Sequence, residues 1–232
     1  MSSTSACPVC GGASSCAMTV PFINTKPPID TPLINFQTSY HACECCGAYF
    51  VHDMMDWTPE QFKECCYNDC YYLHDGDICN PEGDRPVKLV KTVNERFSQF
   101  KTGKHLDYGC GEGYAIDKLT KLGWNSTGYD PYHTKYTTPV EGRFDLITCV
   151  EVLEHAYNLH DIFEFFKTHL TDRGVIYTTT MVHDNLANKS SHGYFCPRVG
   201  HICIHTYKSL NIIATKAGMR CVHLNVDEHL FI

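Results

Sequence analysis

Apolar positions change period several times along the chain, and each change marks an element. From Val87 to Phe100 they fall at Leu89, Val90, Val93 and Phe97, which is one face of a helix. His105-Leu106-Asp107-Tyr108 is short enough for a strand, and Ala115, Ile116, Leu119 and Leu122 then return to helical spacing. Gly123-Trp124 marks a turn into a short strand from Ser126 to Tyr129. Phe144 to Cys149 reads as a third strand, entering a loop and helix that carry Glu151, Glu154 and His155, and "GVIYTTT" reads as a fourth. The tail offers a helix ended by Gly218 and a strand pair at Arg220 to Val226 and His229 to Ile232. Strands alternating with helices predict an α/β domain over residues 87–232.

The first eighty residues follow another pattern. "INTKPPIDTPLINFQTSYHAC" carries three prolines and reads as extended loop, whereas "AYFVHDM" alternates like a strand of a small ribbon. Thr58, with Glu60-Gln61 in the first turn, predicts the start of a short helix, and Asn80 to Pro86 reads as a linker. The expected organisation is therefore a small module at 1–56, a helical linker at 57–86 and the main domain at 87–232, with no internal repeat.

Composition narrows the class. With 232 residues, 43% hydrophobic and 19% charged, the chain can bury one core and a small satellite module. No apolar run approaches a membrane span and "MSSTSACPVC" does not read as a signal peptide, so no membrane association and a cytoplasmic location are expected. A net charge of -7 argues against nucleic-acid binding through a broad basic surface, which would draw its affinity from neutralised phosphates. Fifteen cysteines, odd in number and clustered, fit thiols and metal ligands better than a secreted disulfide framework.

Two cysteine pairs have metal-ligand spacing: Cys7-Pro-Val-Cys10-Gly11 and Cys43-Glu-Cys-Cys46-Gly47. Each Cys-x-x-Cys-Gly turn lets two thiolates converge on one ion, and two such knuckles make a tetrahedral zinc site. Four thiolates leave no coordination position open, so Cys7, Cys10, Cys43 and Cys46 predict a structural Zn2+ in a zinc-ribbon-like module. Cys16 and Cys45 are alternative ligands, and buried free thiols are the alternative to a metal. Cys65, Cys66, Cys70 and Cys79 lack paired knuckles and are expected to pack as small apolar side chains rather than form a second cluster.

In "DYGCGEG" the glycines at 109, 111 and 113 sit at a strand-to-helix turn, where backbone can approach a ligand closely and present amides at a helix N-terminus. The dinucleotide fingerprint would need a glycine where this chain has Tyr114. Asp130 ends the second strand, placed to accept hydrogen bonds from ribose hydroxyls. These features, with "GWNSTGYDPY", "FDLITCVEVLEHAYN" and "LTDRGVIYTTT" in order, resemble the class I S-adenosylmethionine-dependent methyltransferases over about residues 87–232. The N-terminal cysteine pairs resemble a module carried by a subgroup that includes sugar C-methyltransferases.

That resemblance implies a Rossmann-like sheet, mostly parallel with an antiparallel terminal hairpin, and S-adenosylmethionine as cofactor. Asp107 would position its amino-acid end, Gly109, Gly111 and Gly113 would form the floor, and Asp130 would hold the ribose. Cys149, Val150 and Glu151 would lie beside the cofactor and face the acceptor, with Leu153-Glu154-His155 structural and His155 near the pocket mouth. One departure stands out. Residues 131–143 are too few for the family's next helix, strand and acidic adenine-side motif, so the sheet is expected to be a strand short or to hold a vestigial one.

A protonated acceptor needs a base, and "HGYFCPRVGHICIHTYKSL" is the segment richest in candidates. A histidine of the sugar C-methyltransferases, a few residues ahead of a Ser-Leu helix start, resembles His201, although their neighbouring glutamate is replaced by Gly200. The resemblance makes His201 the base, with His205 and Tyr194 as partners; packing, or an ion on Cys196, His201, Cys203 and His205, is the alternative. His183 and His192 are expected to be solvated loop residues. No Asp-Pro-Pro-Tyr-like loop or Pro-Cys pair is present, which points away from DNA methylation and toward a small-molecule acceptor such as a sugar, nucleotide or quinone-like metabolite. Two other readings remain: a zinc-ribbon binding protein on an inactive scaffold, and an RNA- or protein-modifying methyltransferase.

Overall fold

A computed structural model describes residues 5–23, 33, 35–73, 75–76, 80–133, 135–184 and 192–232. In chain order its N-terminal elements are β1 (Ser5–Ala6), β2 (Ala13–Pro21), β3 (Gln37–Cys43), β4 (Tyr49–Val51) and α1 (Pro59–Cys65). There follow α2 (Asp84–Arg96), β5 (Lys104–Tyr108), α3 (Tyr114–Lys121), β6 (Asn125–Tyr129), β7 (Phe144–Val150), α4 (Leu159–His169) and β8 (Leu170–Thr179). The last elements are β9 (Cys203–Ile204), α5 (Tyr207–Lys216), β10 (Cys221–His223) and β11 (Glu228–Phe231).

The chain forms two compact units, and both are discontinuous in sequence. One takes Met1–Asp75, Leu153–His160 and Met181–Lys216; the other takes Gly76–Val152, Asp161–Thr180 and Ala217–Ile232. The linear division expected from the sequence does not describe these units. The first one recruits two late segments because β9 pairs with β4, at Tyr49 opposite Ile204 and Phe50 opposite Cys203.

The first unit holds a five-stranded sheet in the order β1-β2-β3-β4-β9, antiparallel throughout. Most of "AYFVHDM" is not strand: β4 stops at Val51 and His52–Met54 turn as a 3-10 helix. The three prolines of the expected loop, Pro27, Pro28 and Pro32, lie outside the described residues, and the end of that stretch is strand β3. The core gathers Val20, Phe22, Tyr40, Val51, Met54, Phe195, Ile202 and Ile204. Helix α1 begins as the sequence predicts, with a reciprocal capping box: Gln61 N–H donates to Thr58 Oγ1 (3.3 Å) and Thr58 N–H to Gln61 Oε1 (2.9 Å).

The second unit holds a six-stranded sheet in the order β10-β11-β8-β7-β5-β6. The β6, β5, β7 and β8 strands run parallel, and β11 and β10 close the far side as an antiparallel hairpin. Helix α2 starts at Asp84, earlier than the apolar face alone suggests, because Pro86 is tolerated in a first turn whose N–H groups have no partner within the helix. Leu89, Val93, Phe97, Ala115, Leu119, Trp124, Leu146 and Tyr177 form its core on one face, and α4 packs Phe163 edge-on against Phe231 at 4.8 Å. Strand β6 is the sheet edge: among the described residues of 131–143 there is no strand, so the sheet is one short. No described helix is long and apolar enough to cross a membrane.

Candidate functional site

The second unit positions the glycine-rich turn at the carboxyl end of β5, where a parallel sheet opens its crevice. Gly109, Gly111 and Gly113 all take positive φ, at 75°, 52° and 78°. Their reasons differ. A side chain at Gly109 would strike Val152 Cγ2 at 2.3 Å, and one at Gly113 would strike the Tyr136 hydroxyl at 2.0 Å, whereas Gly111 faces open space. Gly111 is thus the point at which a ligand can approach the backbone.

Asp130 closes that turn from β6. Its Oδ2 accepts the Gly111 N–H (2.9 Å) and its Oδ1 the Tyr132 N–H (2.8 Å). Asp107 lies buried at the end of β5 and accepts the Thr148 hydroxyl at 2.6 Å. Burial pushes the Asp107 carboxyl up to about 7, with the Thr148 bond opposing and the nearby charge of Asp130 adding to the rise. Behind it, His105 Nε2 stands 2.9 Å from Thr148 Oγ1 and His105 Nδ1 3.0 Å from Ser126 Oγ. Burial holds His105 down near 3, so the ring is neutral. With the Thr148 proton on Asp107, Thr148 accepts from Nε2–H and Nδ1 accepts from Ser126. A buried polar chain from Ser126 to Asp107 therefore fixes the carboxyl beneath the turn.

Cys149, Val150 and Glu151 stand at the carboxyl end of β7, where the sequence put them. Cys149 is fully buried. Glu151 has φ 52°, the one non-glycine positive φ among the described residues, and is held by its N–H on the Thr179 carbonyl (2.9 Å) and by the Thr179 hydroxyl on its Oε1 (2.8 Å). Such a conformation costs about 1–3 kcal/mol and recurs at functional sites.

Sequence reasoning missed the residues that replace the absent strand. The segment after Asp130 folds back on the turn: Asp130 N–H donates to the Tyr136 carbonyl (3.0 Å), and His133 Nε2 meets Glu112 Oε1 at 3.2 Å. The Tyr136 ring fills the space that side chains at Gly113 and Gly128 would occupy. A cavity of about 370 Å³ runs along this edge from Gly128 and Tyr136 to Lys104 and Asn125 at the opposite strand ends. Thr148 and His105 were missed too; only Thr148 had a signal, as a polar residue in the apolar run from Leu146 to Val150.

In the first unit the sulfurs of Cys7, Cys10, Cys43 and Cys46 lie within 4.8 Å of one another. Cys7 and Cys46 approach to 3.6 Å and Cys10 and Cys43 to 3.4 Å, close to the roughly 3.8 Å expected for thiolates about 2.3 Å from one tetrahedral ion. Backbone N–H groups of Gly12, Cys45 and Cys46 point at sulfur, each at 3.4 Å. Gly12 is compelled by this packing, since a side chain there would meet Cys45 Cβ at 2.8 Å and Cys10 Sγ at 3.2 Å. The Cys46 thiol beside Cys7 draws Cys7 toward the thiolate, while the same contact keeps Cys46 protonated. A shared cation removes that asymmetry, so the donor set fits a soft or borderline metal ion. Cys16 and Cys45 are exposed and stand outside the group.

The remaining candidates separate. Cys65 and Cys66 are buried beside the first unit's core, Cys70 is partly buried, and Cys79 lies outside the described residues. Cys196, His201, Cys203 and His205 do not gather as an ion site. His205 is fully buried, with Nε2–H on the Leu153 carbonyl (3.2 Å) and Nδ1 3.3 Å from Ser209 Oγ, which ties the start of α5 to Leu153. His201 Nδ1–H donates to the Tyr194 carbonyl (2.7 Å), and the two rings stand 4.3 Å apart. His183 is buried rather than solvated, because the rings of Tyr194 and Phe195 cover it at 4.9 and 5.4 Å; His192 is partly buried against it at 5.1 Å.

Comparison with known proteins follows this geometry. A family model described as a methyltransferase domain matches residues 82–224. A ubiquinone biosynthesis O-methyltransferase of Glaesserella parasuis is 26% identical over 136 residues, 44% of this chain and 58% of the relative. The mitochondrial enzyme of that name from Saccharomyces cerevisiae is 29% identical over 105 residues, 34% of each chain. This chain spans about half the length of the curated relatives it matches. Among solved structures, a magnesium protoporphyrin IX methyltransferase of Synechocystis with bound SAH aligns at 14% identity and TM-score 0.49, over 71% of this chain and 94% of that one.

Proposed function

We propose that this chain, which belongs to the methyltransferase-domain family, transfers the methyl group of S-adenosylmethionine to a small-molecule acceptor and carries a structural zinc ion on Cys7, Cys10, Cys43 and Cys46. The observation that carries the reading is the open space over Gly111, whose amide is already oriented by Asp130. When bound, the cofactor supplies an activated methyl group on a sulfonium sulfur. This chain's residues bind and align it. Gly111 offers close backbone approach, Asp130 the carboxylate for a ribose, and Asp107 a buried carboxyl for the cofactor's ammonium group. Cys149, Val150 and Glu151 belong to the acceptor side of the same strand ends.

An acceptor hydroxyl suits the names of the relatives, and its proton needs a base. His201 is the candidate: its Nδ1–H is spent on the Tyr194 carbonyl, which leaves Nε2 as the nitrogen with a lone pair. Sugars, nucleotides and quinone-like phenols are the acceptor classes that fit this reading.

Calorimetric titration of the zinc-replete protein with S-adenosylmethionine tests it. Micromolar binding is expected, weakened at least tenfold by Asp130→Ala, while His201→Ala leaves binding intact and lowers turnover. The short segment after Asp130 favours one other reading, an inactive scaffold carrying a zinc ribbon. A folded protein that binds no cofactor would establish that alternative in its place.

A further inference from the structure

Glu154, His155 and His201 stand together within the first unit, and neither the sulfur cluster nor the cofactor turn accounts for them. One carboxylate oxygen and one ring nitrogen from each histidine lie within 4.8 Å of one another. Donor atoms about 2.1 Å from a common ion are roughly 3–4 Å apart, so small side-chain adjustments close the set. The Glu154 residue is fully buried.

The surroundings are built to hold these three side chains. His201 Nδ1–H is fixed on the Tyr194 carbonyl, and Tyr67 Oη stands 3.0 Å from His155 Nδ1. A partner on one ring nitrogen is the arrangement that orients a metal-binding imidazole. The two rings meet nearly edge to face, 5.0 Å between centroids at 76°. Ile202 N–H donates to the Glu154 carbonyl (2.9 Å), which pins the two ligand-bearing segments together. Gly200, at φ 85°, lets its backbone approach: a side chain there would strike the Tyr67 hydroxyl at 2.4 Å and His155 Nδ1 at 2.7 Å.

We propose that Glu154, His155 and His201 form a second metal site that takes a borderline divalent cation, such as Mn2+, Fe2+, Co2+ or Zn2+. Two imidazoles and one carboxylate match that class, not the all-oxygen sites of Ca2+ or the thiolate sites of Cu+. Three protein ligands leave coordination positions for water or an oxygen ligand, unlike the closed sulfur cluster. The proposal goes beyond the methyltransferase reading and changes one part of it. His201 Nε2 cannot hold a proton and an ion together, so in the loaded protein His201 is a ligand.

The test uses the full chain with zinc already on its cysteines and Mn2+ as the probe, because Mn2+ does not displace zinc from thiolates. Loss of the free Mn2+ electron paramagnetic resonance signal should show one equivalent bound. Glu154→Gln and His201→Ala should each weaken binding at least tenfold, and Tyr67→Phe, which keeps the ring and removes the hydroxyl, by a smaller factor. Melting curves of each variant, together with S-adenosylmethionine titrations, report folding and the cofactor site separately. The proposal is overturned if the folded wild-type protein binds no equivalent of Mn2+, Co2+ or Zn2+ beyond the cysteine-bound ion, or if folded Glu154→Gln binds Mn2+ as the wild type does.

Discussion

The two units solve the same problem of stability with different materials. The second buries Leu106, Leu119, Leu146, Ile147, Phe166 and Ile176 around parallel strands, and apolar area removed from water is enough to hold it. The first pairs the longer β2 and β3 with strands of only two or three residues, and its largest fully buried side chain is Arg198, whose guanidinium donates to the Cys66 carbonyl and to Asn68 Oδ1. There, directional polar contacts and four converging sulfurs stand beside the apolar cluster of Val20, Phe22, Met54, Phe195 and Ile202. The lesson is that a unit holding a buried arginine and four converging thiols beside its apolar core depends on each polar partner being in place, because an unmatched polar group is costly.

Removing the proposed zinc ion should distinguish the two units most strongly. Chelation is expected to cost on the order of 10 kcal/mol of binding-coupled folding free energy in the first unit, and Cys43→Ser a smaller part of it. Hydrogen exchange should then show β2 and β3 losing protection while β5 and β7 keep theirs. Equal loss in both sheets would erase the contrast.

A smaller effect is expected inside the second unit, at the buried acid beneath the glycine turn. Asp107 has a folded value near 7, above its ordinary range, so the folded state holds the proton more tightly than the unfolded one. Its contribution to stability is complete below about pH 4 and is lost as pH rises through 7. Asp107→Asn should therefore leave stability unchanged at pH 4 and raise it by a few kcal/mol at pH 8, as read from urea unfolding. A gain at both pH values would assign the effect to packing instead. The same ionisation predicts cofactor binding that weakens below pH 7.

Thr58→Ala marks the small end of the scale. Loss of the capping box at α1 should cost about 1 kcal/mol, confined to exchange rates in the first unit.

The second unit's elements were legible because long apolar periods with glycine punctuation report on themselves. Asp130 could be found from its place at a strand end, and its bond to Gly111 repeats that logic in space. The first unit was harder. Strand β2 reads "ASSCAMTVP", with Ser14 and Val20 buried and little alternation, since its place is set by main-chain pairing with β3. Strand β9 is two residues long and exists through its partner β4. His183 looked solvated because the rings that bury it come from residues 194 and 195. The meeting of Glu154 and His155 with His201 was equally hidden, being a contact across more than forty positions of chain.

The missing strand beside β6 carries a consequence for self-association. An exposed parallel edge offers unpaired amides and carbonyls to any neighbouring chain. Here the edge strand is only Asn125–Tyr129, reads "NSTGY" and presents no apolar stripe. The return segment lays Tyr136 over Gly128, with Lys135 Nζ 4.8 Å above the tyrosine ring, so an aromatic lid and a positive charge stand at the edge. A chain can thus lose a strand from its sheet without creating a seed for aggregation, provided what replaces the strand is short, polar and capped by charge.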